Sequence, residues 1–444
     1  MLKNNNRIDK SKKIIIREKK KIKEEKKKIK YDKEKKFYNT KFGIFIKKLF
    51  GVYDNVEDVS SNIKNKLFYS FMYTLFGIFL CLIILYILSG GKNYFKLYYE
   101  LGDFIDTYDA ISNDHYDDID KKDLINNAIS SMVNSVGDGY TTYADGEEAL
   151  EFQENITGTY NGIGCMVSMD QDSNIYVVEV FENGSASDAG IQVNDVILEV
   201  DDVDYTDKTS EDMALYVKNS SKKTVKFKIK RGEEELNVDV KLKKQEIPSV
   251  SSEIIEIDDK KIGYLDVDIF SGVTNKQFKN KLNELEKDNI NSLIIDLRDN
   301  SGGYLDVVTD ITSMFLEKGD IIYQLENKSG KIKKVKDDTK EERSYSIVVL
   351  VNNGSASASE ILAAAIKDSY GGYVVGTTTF GKGSVQETKE LSNGGMMKYT
   401  VQKWLTPLGK CIDKNGIAPN YVVEFEEKGF ENDSQLDYAI NLLK

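Results

Sequence analysis

Two short apolar runs constrain this chain most. SLIIDLR (292–298) and SIVVLVN (346–352) are nearly continuous in branched aliphatic residues. A strand with one wet face alternates apolar and polar side chains, whereas a strand without that alternation is covered on both faces. Helix-like segments separate such runs. NKQFKNKLNELEKDN follows the strand-like GYLDVDIF, YLDVVTDITSMFLEK lies between the two apolar runs, and SEILAAAIKDS precedes the strand-like YVVGTTT. The alternation predicts an α/β domain with a largely parallel sheet over residues 246–444. Sites in such sheets gather at the carboxyl ends of strands. The junctions DNSGG and NNGSASASE both fall there. The sequence leaves the strand order open.

Residues 67–88, LFYSFMYTLFGIFLCLIILYIL, carry no charge over 22 positions. About 20 apolar helical residues span a bilayer core, so a transmembrane anchor is expected at 67–89. The flanks differ sharply in charge. Residues 1–66 hold 22 Lys and Arg against 9 Asp and Glu, a net +13. The other 39 basic and 64 acidic residues leave the remainder at −25. The positive-inside bias assigns the basic tail, 1–66, to the cytoplasm and the rest to the outside, in a single-pass cell-membrane protein. A cleaved signal peptide fits less well, because its charged region would be far too long. The Lys-rich run before the anchor favours attraction to anionic lipid over nucleic-acid binding.

Beyond the anchor, FKLYYELGDFIDTY and KKDLINNAISSMVNSV have apolar residues at three- and four-residue spacings, which predicts a small helical region over 92–154. From 155 to 245 the period becomes that of strands. IYVVEVF, DVILEVD, TVKFKIKR and LNVDVKL are separated by turn signals, with one helix-like stretch, SEDMALYVKNS. Gly162-Ile163-Gly164-Cys165 opens this region, and SDAGI precedes NDVIL. The order resembles a PDZ domain. That resemblance implies a loop, Gly162–Cys165, offering backbone N–H groups to a peptide's terminal carboxylate, and a neighbouring strand that pairs with the peptide.

Composition narrows the chemistry. The chain has a single histidine, His115, and three scattered cysteines. These exclude a His-rich metal site, an HExxH metalloprotease and a disulfide framework. Asp299-Asn300-Ser301-Gly302-Gly303 looks like a serine-protease GDSGG, but Ser301 as nucleophile would need His115 as its base. Two glycines there instead let the backbone approach a ligand and aim N–H groups at an anion. In the second junction, Ser357 and Glu360 fit a capping box at a helix start. The same geometry places a serine beside unpaired N–H groups and the positive end of a helix dipole, which stabilise an oxyanion. Without histidine such a serine needs another base, and a lysine serves once burial lowers its pKa. Lys382 in TFGKGSVQE is a candidate, with Gln386 four residues on. Composition alone does not choose among Ser355, Ser357 and Ser359.

The segments SMVNSVGDGYTTY, TYNGIGCMV, IIDLRDNSGG, VLVNNGSASASEILAAAIKD, GTTTFGKGSVQ and TPLGKCIDKNGIAPN, in this order over about 95–425, make the chain similar to the carboxyl-terminal processing (tail-specific) proteases. The resemblance implies a crotonase-like α/β core with a preceding or inserted PDZ domain and a serine endopeptidase activity run by a Ser/Lys dyad. It implies Ser357 as nucleophile, Lys382 as general base, Gln386 as support for the lysine, and Gly303 and Ala358 as oxyanion donors. Departures are Gly139, where a proline is common, and residues 219–223, which lack the usual Gly-Pro-Gly turn. The expected partners are proteins or peptides with free C-termini and the membrane, but no nucleic acid; a homo-oligomer stays open. No metal or organic cofactor is implied. Two rivals differ in kind. A catalytically silent PDZ adaptor would bind tails without turnover, and a crotonase-like acyl-CoA enzyme would bind a CoA thioester.

Overall fold

The computed structural model describes residues 5–38, 40, 41, 44, 59–88, 94–341, 343–426 and 433–444. The chain divides into two compact units, Met1–Asp118 and Ile119–Lys444. The division falls inside the helical region expected at 92–154. The first unit holds α1 (Asn5–Tyr38), α2 (Val59–Leu88), α3 (Tyr94–Glu100) and α4 (Gly102–Asp114). The Lys-rich run lies on α1, and its side chains from 16 to 30 are exposed. The uncharged run lies on α2, where Phe71, Phe76 and Phe79 are exposed. Yet among the described residues no helix is long and apolar enough to cross a membrane, so the expected transmembrane helix is not supported here.

The second unit begins with α5 (Lys121–Asn134), β1 (Thr142–Ala144) and α6 (Gly146–Thr157). Gly139, before β1, has φ +74°, a conformation that the proline ring forbids. A β-rich body follows: β2 (Thr159–Gly162), β3 (Cys165–Met169), β4 (Ile175–Val180), α7 (Ser185–Asp188), β5 (Val196–Val200), β6 (Val203–Asp204), α8 (Ser210–Asn219), β7 (Thr224–Arg231), β8 (Glu234–Lys241) and β9 (Lys243–Glu246). One antiparallel sheet runs β3-β4-β5-β7-β8, leaving β3 as an edge. Its alternation does the sorting. On β7, Val225, Phe227 and Ile229 point into the core. A Thr209–Asp212 capping box starts α8. β2 and β9 pair antiparallel, forming a two-stranded stem at the base of this body.

The remaining elements are β10 (Val250–Ile257), β11 (Lys260–Val267), α9 (Thr274–Lys287), β12 (Ser292–Asp296), α10 (Leu305–Ser313), β13 (Ile321–Asn327), β14 (Ile332–Lys336), β15 (Ser346–Val351), α11 (Ala358–Ala365), β16 (Tyr373–Gly376), β17 (Ser384–Glu390), β18 (Met396–Leu405), β19 (Tyr421–Val422) and α12 (Ser434–Leu443). A six-stranded sheet runs β10-β11-β12-β15-β16-β19, parallel except for β10. Its central strands are the two apolar runs, and every residue of β12 is buried. α9, α10 and α11 cover one face, and α12 covers the other. Arg298, at the end of β12, pairs with Asp296 at 2.5 Å and with Asp433 ahead of α12 at 2.6 Å. A second sheet, not foreseen from the sequence, runs β1-β18-β13-β14 with β17 also on β18.

Candidate active site

β15 and α11 are joined by a tight turn that places three serines differently. Ser355 and Ser359 are wholly buried. The Ser355 hydroxyl donates to the Leu297 carbonyl at 2.7 Å and accepts the Asn352 N–H at 3.0 Å. The Ser359 hydroxyl donates to the Asn300 carbonyl at 2.8 Å. Only Ser357 of the three lines a cavity of about 620 Å³. Its backbone sits at φ +55°, ψ −111°. A side-chain-bearing residue held at such angles costs about 1–3 kcal/mol, retained where the surroundings over-determine it. The strained turn sets Ser357 at the head of α11, beside the Ala358 N–H.

Glu360 explains why the turn holds. Its carboxylate is fully buried. One oxygen accepts the N–H groups of Ser357 at 2.8 Å and Lys382 at 2.9 Å. The other accepts the Gly381 N–H at 2.7 Å and the Thr379 hydroxyl at 2.6 Å. The capping box expected from the spacing is present. Its acid also fastens the serine turn to the lysine loop, a link the spacing did not disclose.

Lys382 lines the same cavity. Burial pushes its amine below the usual lysine range; nearby Lys398 acts in the same direction, and Glu360 opposes both. The Lys382 amine lies 5.0 Å from the centroid of the Tyr140 ring. Its carbonyl accepts the Trp404 indole N–H at 2.9 Å. Tyr140 was missed in the sequence. Its signal is the Asp-Gly-Tyr-Thr order, because the Asp138 carboxylate accepts the N–H groups of Tyr140 at 2.9 Å and Thr141 at 2.7 Å in an Asx turn. A hydrogen bond from Thr400 and those turn contacts hold the Asp138 carboxyl well below the ordinary carboxylate range.

Two backbone donors share the cavity with the serine. A Cβ on Gly302 would stand 2.8 Å from Ser357 Cβ and 3.0 Å from the Ala358 nitrogen, so this loop packs directly on the turn. The Gly302 N–H is committed to Asn300 Oδ1 at 2.8 Å. Among the described residues, neither the Gly303 nor the Ala358 N–H has an acceptor, and both residues line the cavity. Gly303, at φ +148°, lies so close to the Phe270 carbonyl that a Cβ would be 2.2 Å from it. Gln386 also reaches the cavity, but its amide donates to Ser384 Oγ at 2.8 Å and Thr400 Oγ1 at 3.3 Å rather than to Lys382. Ser301 lines the cavity as well, whereas His115 is exposed in the first unit. The loop Gly162–Cys165 lies at the stem of the PDZ-like body, and its Ile163 side chain is in that body's core.

A serine, a buried lysine and two backbone N–H groups thus line one cavity, in the same unit as a β-rich body with the strand order described above. Residues 261–423 match peptidase family S41, 161–242 match the PDZ domain, and 91–148 match the N-terminal domain of the activating protease CtpB. The carboxy-terminal processing protease CtpA of Bacillus subtilis (strain 168) is 35% identical over 320 residues, covering 72% of this chain and 68% of its own. CtpB of the same organism is 34% identical, covering 71% and 66%. Among solved structures, a photosystem II D1 C-terminal processing protease aligns over 75% of this chain and 87% of its own, at 24% identity and TM-score 0.43. The chain belongs to the carboxy-terminal processing protease family, serine endopeptidases that carry a PDZ domain.

Proposed function

We propose that Ser357 and Lys382 form the catalytic dyad. The observation that carries this reading is that one serine of three opens on the cavity that also holds a lysine disfavoured as a cation. The neutral Lys382 amine takes the Ser357 hydroxyl proton as Oγ bonds to the scissile carbonyl carbon. The oxyanion that forms is met by the Gly303 and Ala358 N–H groups. The ammonium then gives its proton to the leaving amine, and the C–N bond breaks. Water attacks the resulting ester, losing a proton to Lys382; the ammonium returns that proton to Ser357 Oγ as the C–O bond breaks, and the acid product leaves and ionises in water. Gln386 shapes the lysine's side of the cavity through Ser384 and Thr400. The PDZ domain captures the free C-terminus of the substrate, an apolar one, at the Gly162–Cys165 loop and the β3 edge.

The same reading places the enzyme in the cell membrane, anchored through 67–89, with its catalytic part outside. This part rests on the uncharged 22-residue run and the charge split across it. The test uses the full chain in detergent. Wild type, Ser357→Ala and Lys382→Ala are given an unstructured reporter ending in apolar residues or in Asp-Asp. Cleavage by wild type alone, faster with the apolar tail, is expected; cleavage persisting in both variants sinks the dyad. Recovery in the soluble fraction after expression without detergent sinks the anchor.

A further inference from the structure

The Gly162–Cys165 loop is built as a nest of donors with its carbonyls turned away. The Gly162 carbonyl accepts from buried Gln245 Nε2 at 3.1 Å. The Ile163 carbonyl accepts the Ala186 N–H at 2.6 Å, and the Gly164 carbonyl accepts the Phe181 N–H at 3.0 Å. With three successive carbonyls pinned into the domain, the N–H side faces the other way. The Gly164 carbonyl bond to Phe181, with Cys165 opposite Val180, also directs the Cys165 N–H off β4 toward the open edge of β3.

That side is occupied by the chain itself. The Tyr160 hydroxyl oxygen accepts the Gly164 N–H at 3.1 Å. Its ring lies flush on Gly162, where a Cβ would be 2.3 Å from Tyr160 Cε2. Burial pushes the phenol up to about 12, so it is a neutral hydroxyl. Resting on the reading that the loop takes tail carboxylates, we propose that Tyr160 is the specificity-determining residue of tail recognition: its hydroxyl holds the carboxylate position of the loop, and a substrate's C-terminus binds by displacing it. A carboxylate makes stronger, charge-assisted hydrogen bonds to N–H groups than a phenol does. The exchange therefore favours a true C-terminus and rejects internal segments or amide ends, which offer only a neutral oxygen. The tyrosine raises the threshold that every tail must pass, so tails need good side-chain contacts along β3 as well.

The test uses the full chain in detergent on a Ser357→Ala background, which prevents turnover. Probes are a fluorescein-labelled decapeptide ending in valine and its C-terminal amide, followed by anisotropy. Tyr160→Phe keeps the ring and removes the hydroxyl. It is expected to bind the free-carboxylate peptide about five- to tenfold tighter, the worth of one hydrogen bond no longer displaced, and to gain at least as much for the amide, so that the wild-type preference for the acid narrows. Tyr160→Leu, with its melting temperature checked, should shift in the same direction. Equal or weaker binding of the acid peptide by Tyr160→Phe, with wild type binding well, overturns the inference and spares the tail reading. No carboxylate-dependent binding by either protein overturns both.

Discussion

Two loops in this chain present backbone N–H groups from glycine-rich turns, and they are kept in opposite states. At Gly303 and Ala358 the donors open on the cavity without an acceptor among the described residues. At Gly164 the donor is taken by the chain's own tyrosine. On the proposed mechanism the first is preorganised for charge that appears only during reaction, so an open state costs nothing in selectivity. The second meets a charge present from the start, and filling it beforehand turns affinity into discrimination. The rigid site is the one held by a buried carboxylate, Glu360; the adjustable one is held at its mouth by a single neutral side chain.

The sharpest way to separate the loops is Lys382→Met. Peptidase activity is expected to fall about 10³-fold or more with tail affinity unchanged, read by reporter cleavage and anisotropy. In the proposed dyad the lysine acts as base only when neutral, and its pKa is lowered. Activity should therefore rise with pH through a midpoint below the ordinary lysine value. The sign for stability follows from the same shift. The unfolded chain binds this proton more readily than the folded one, so wild-type stability rises with pH over that window. Lys382→Met should lose that dependence and melt no lower than wild type at neutral pH.

Next comes Gly303→Ala. Its Cβ would press on the Phe270 carbonyl and shift the donor, for a loss of about 10²- to 10³-fold in kcat with tail binding intact. Glu360→Ala should leave three N–H groups and a hydroxyl without their acceptor. About 3 kcal/mol of stability in urea denaturation and roughly 10²-fold in activity should go together. Smallest is Gly162→Ala. The new methyl pushes the Tyr160 ring off the loop, and acid-peptide affinity should rise about threefold, with cleavage of a tail-less peptide unchanged. An equal effect of Gly162→Ala on both substrates would erase the distinction between the loops.

Much of this was legible because the signals are local. The unalternated runs at 292–298 and 346–352 became the buried centre of the parallel sheet, and SEDMALYVKNS became α8 with its own cap. The second sheet was not legible. KIKKVK and SVQETKE are short, charged and half-exposed, and β18 pairs with β1 some 250 residues earlier, Lys398 opposite Thr142. Ser357 could not be told from Ser355 and Ser359 by composition, because their difference lies in which carbonyl each hydroxyl reaches. Tyr140, Tyr160 and the link from Glu360 to the lysine loop escaped for a related reason. Each acts through a partner remote in sequence or through its backbone surroundings, and neither leaves a periodic trace.

The joint between recognition and catalysis has its own consequence. α6 supplies Phe152, Asn155 and Ile156 to the cavity wall and passes through Gly158 into β2, which carries Tyr160. That joint is clamped: the Ile156 carbonyl accepts the Gly272 N–H at 3.0 Å, the Gly158 carbonyl accepts the Ile247 N–H at 2.8 Å, and a Cβ at Gly158 would sit 2.2 Å from Ser271 Oγ. In mechanical terms it is a welded bracket rather than a hinge. A displacement of Tyr160 has only three residues of stiff, twice-paired chain, Thr157 to Thr159, between it and the cavity wall, so on the proposed reading capture of a tail is geared to the shape of the cavity.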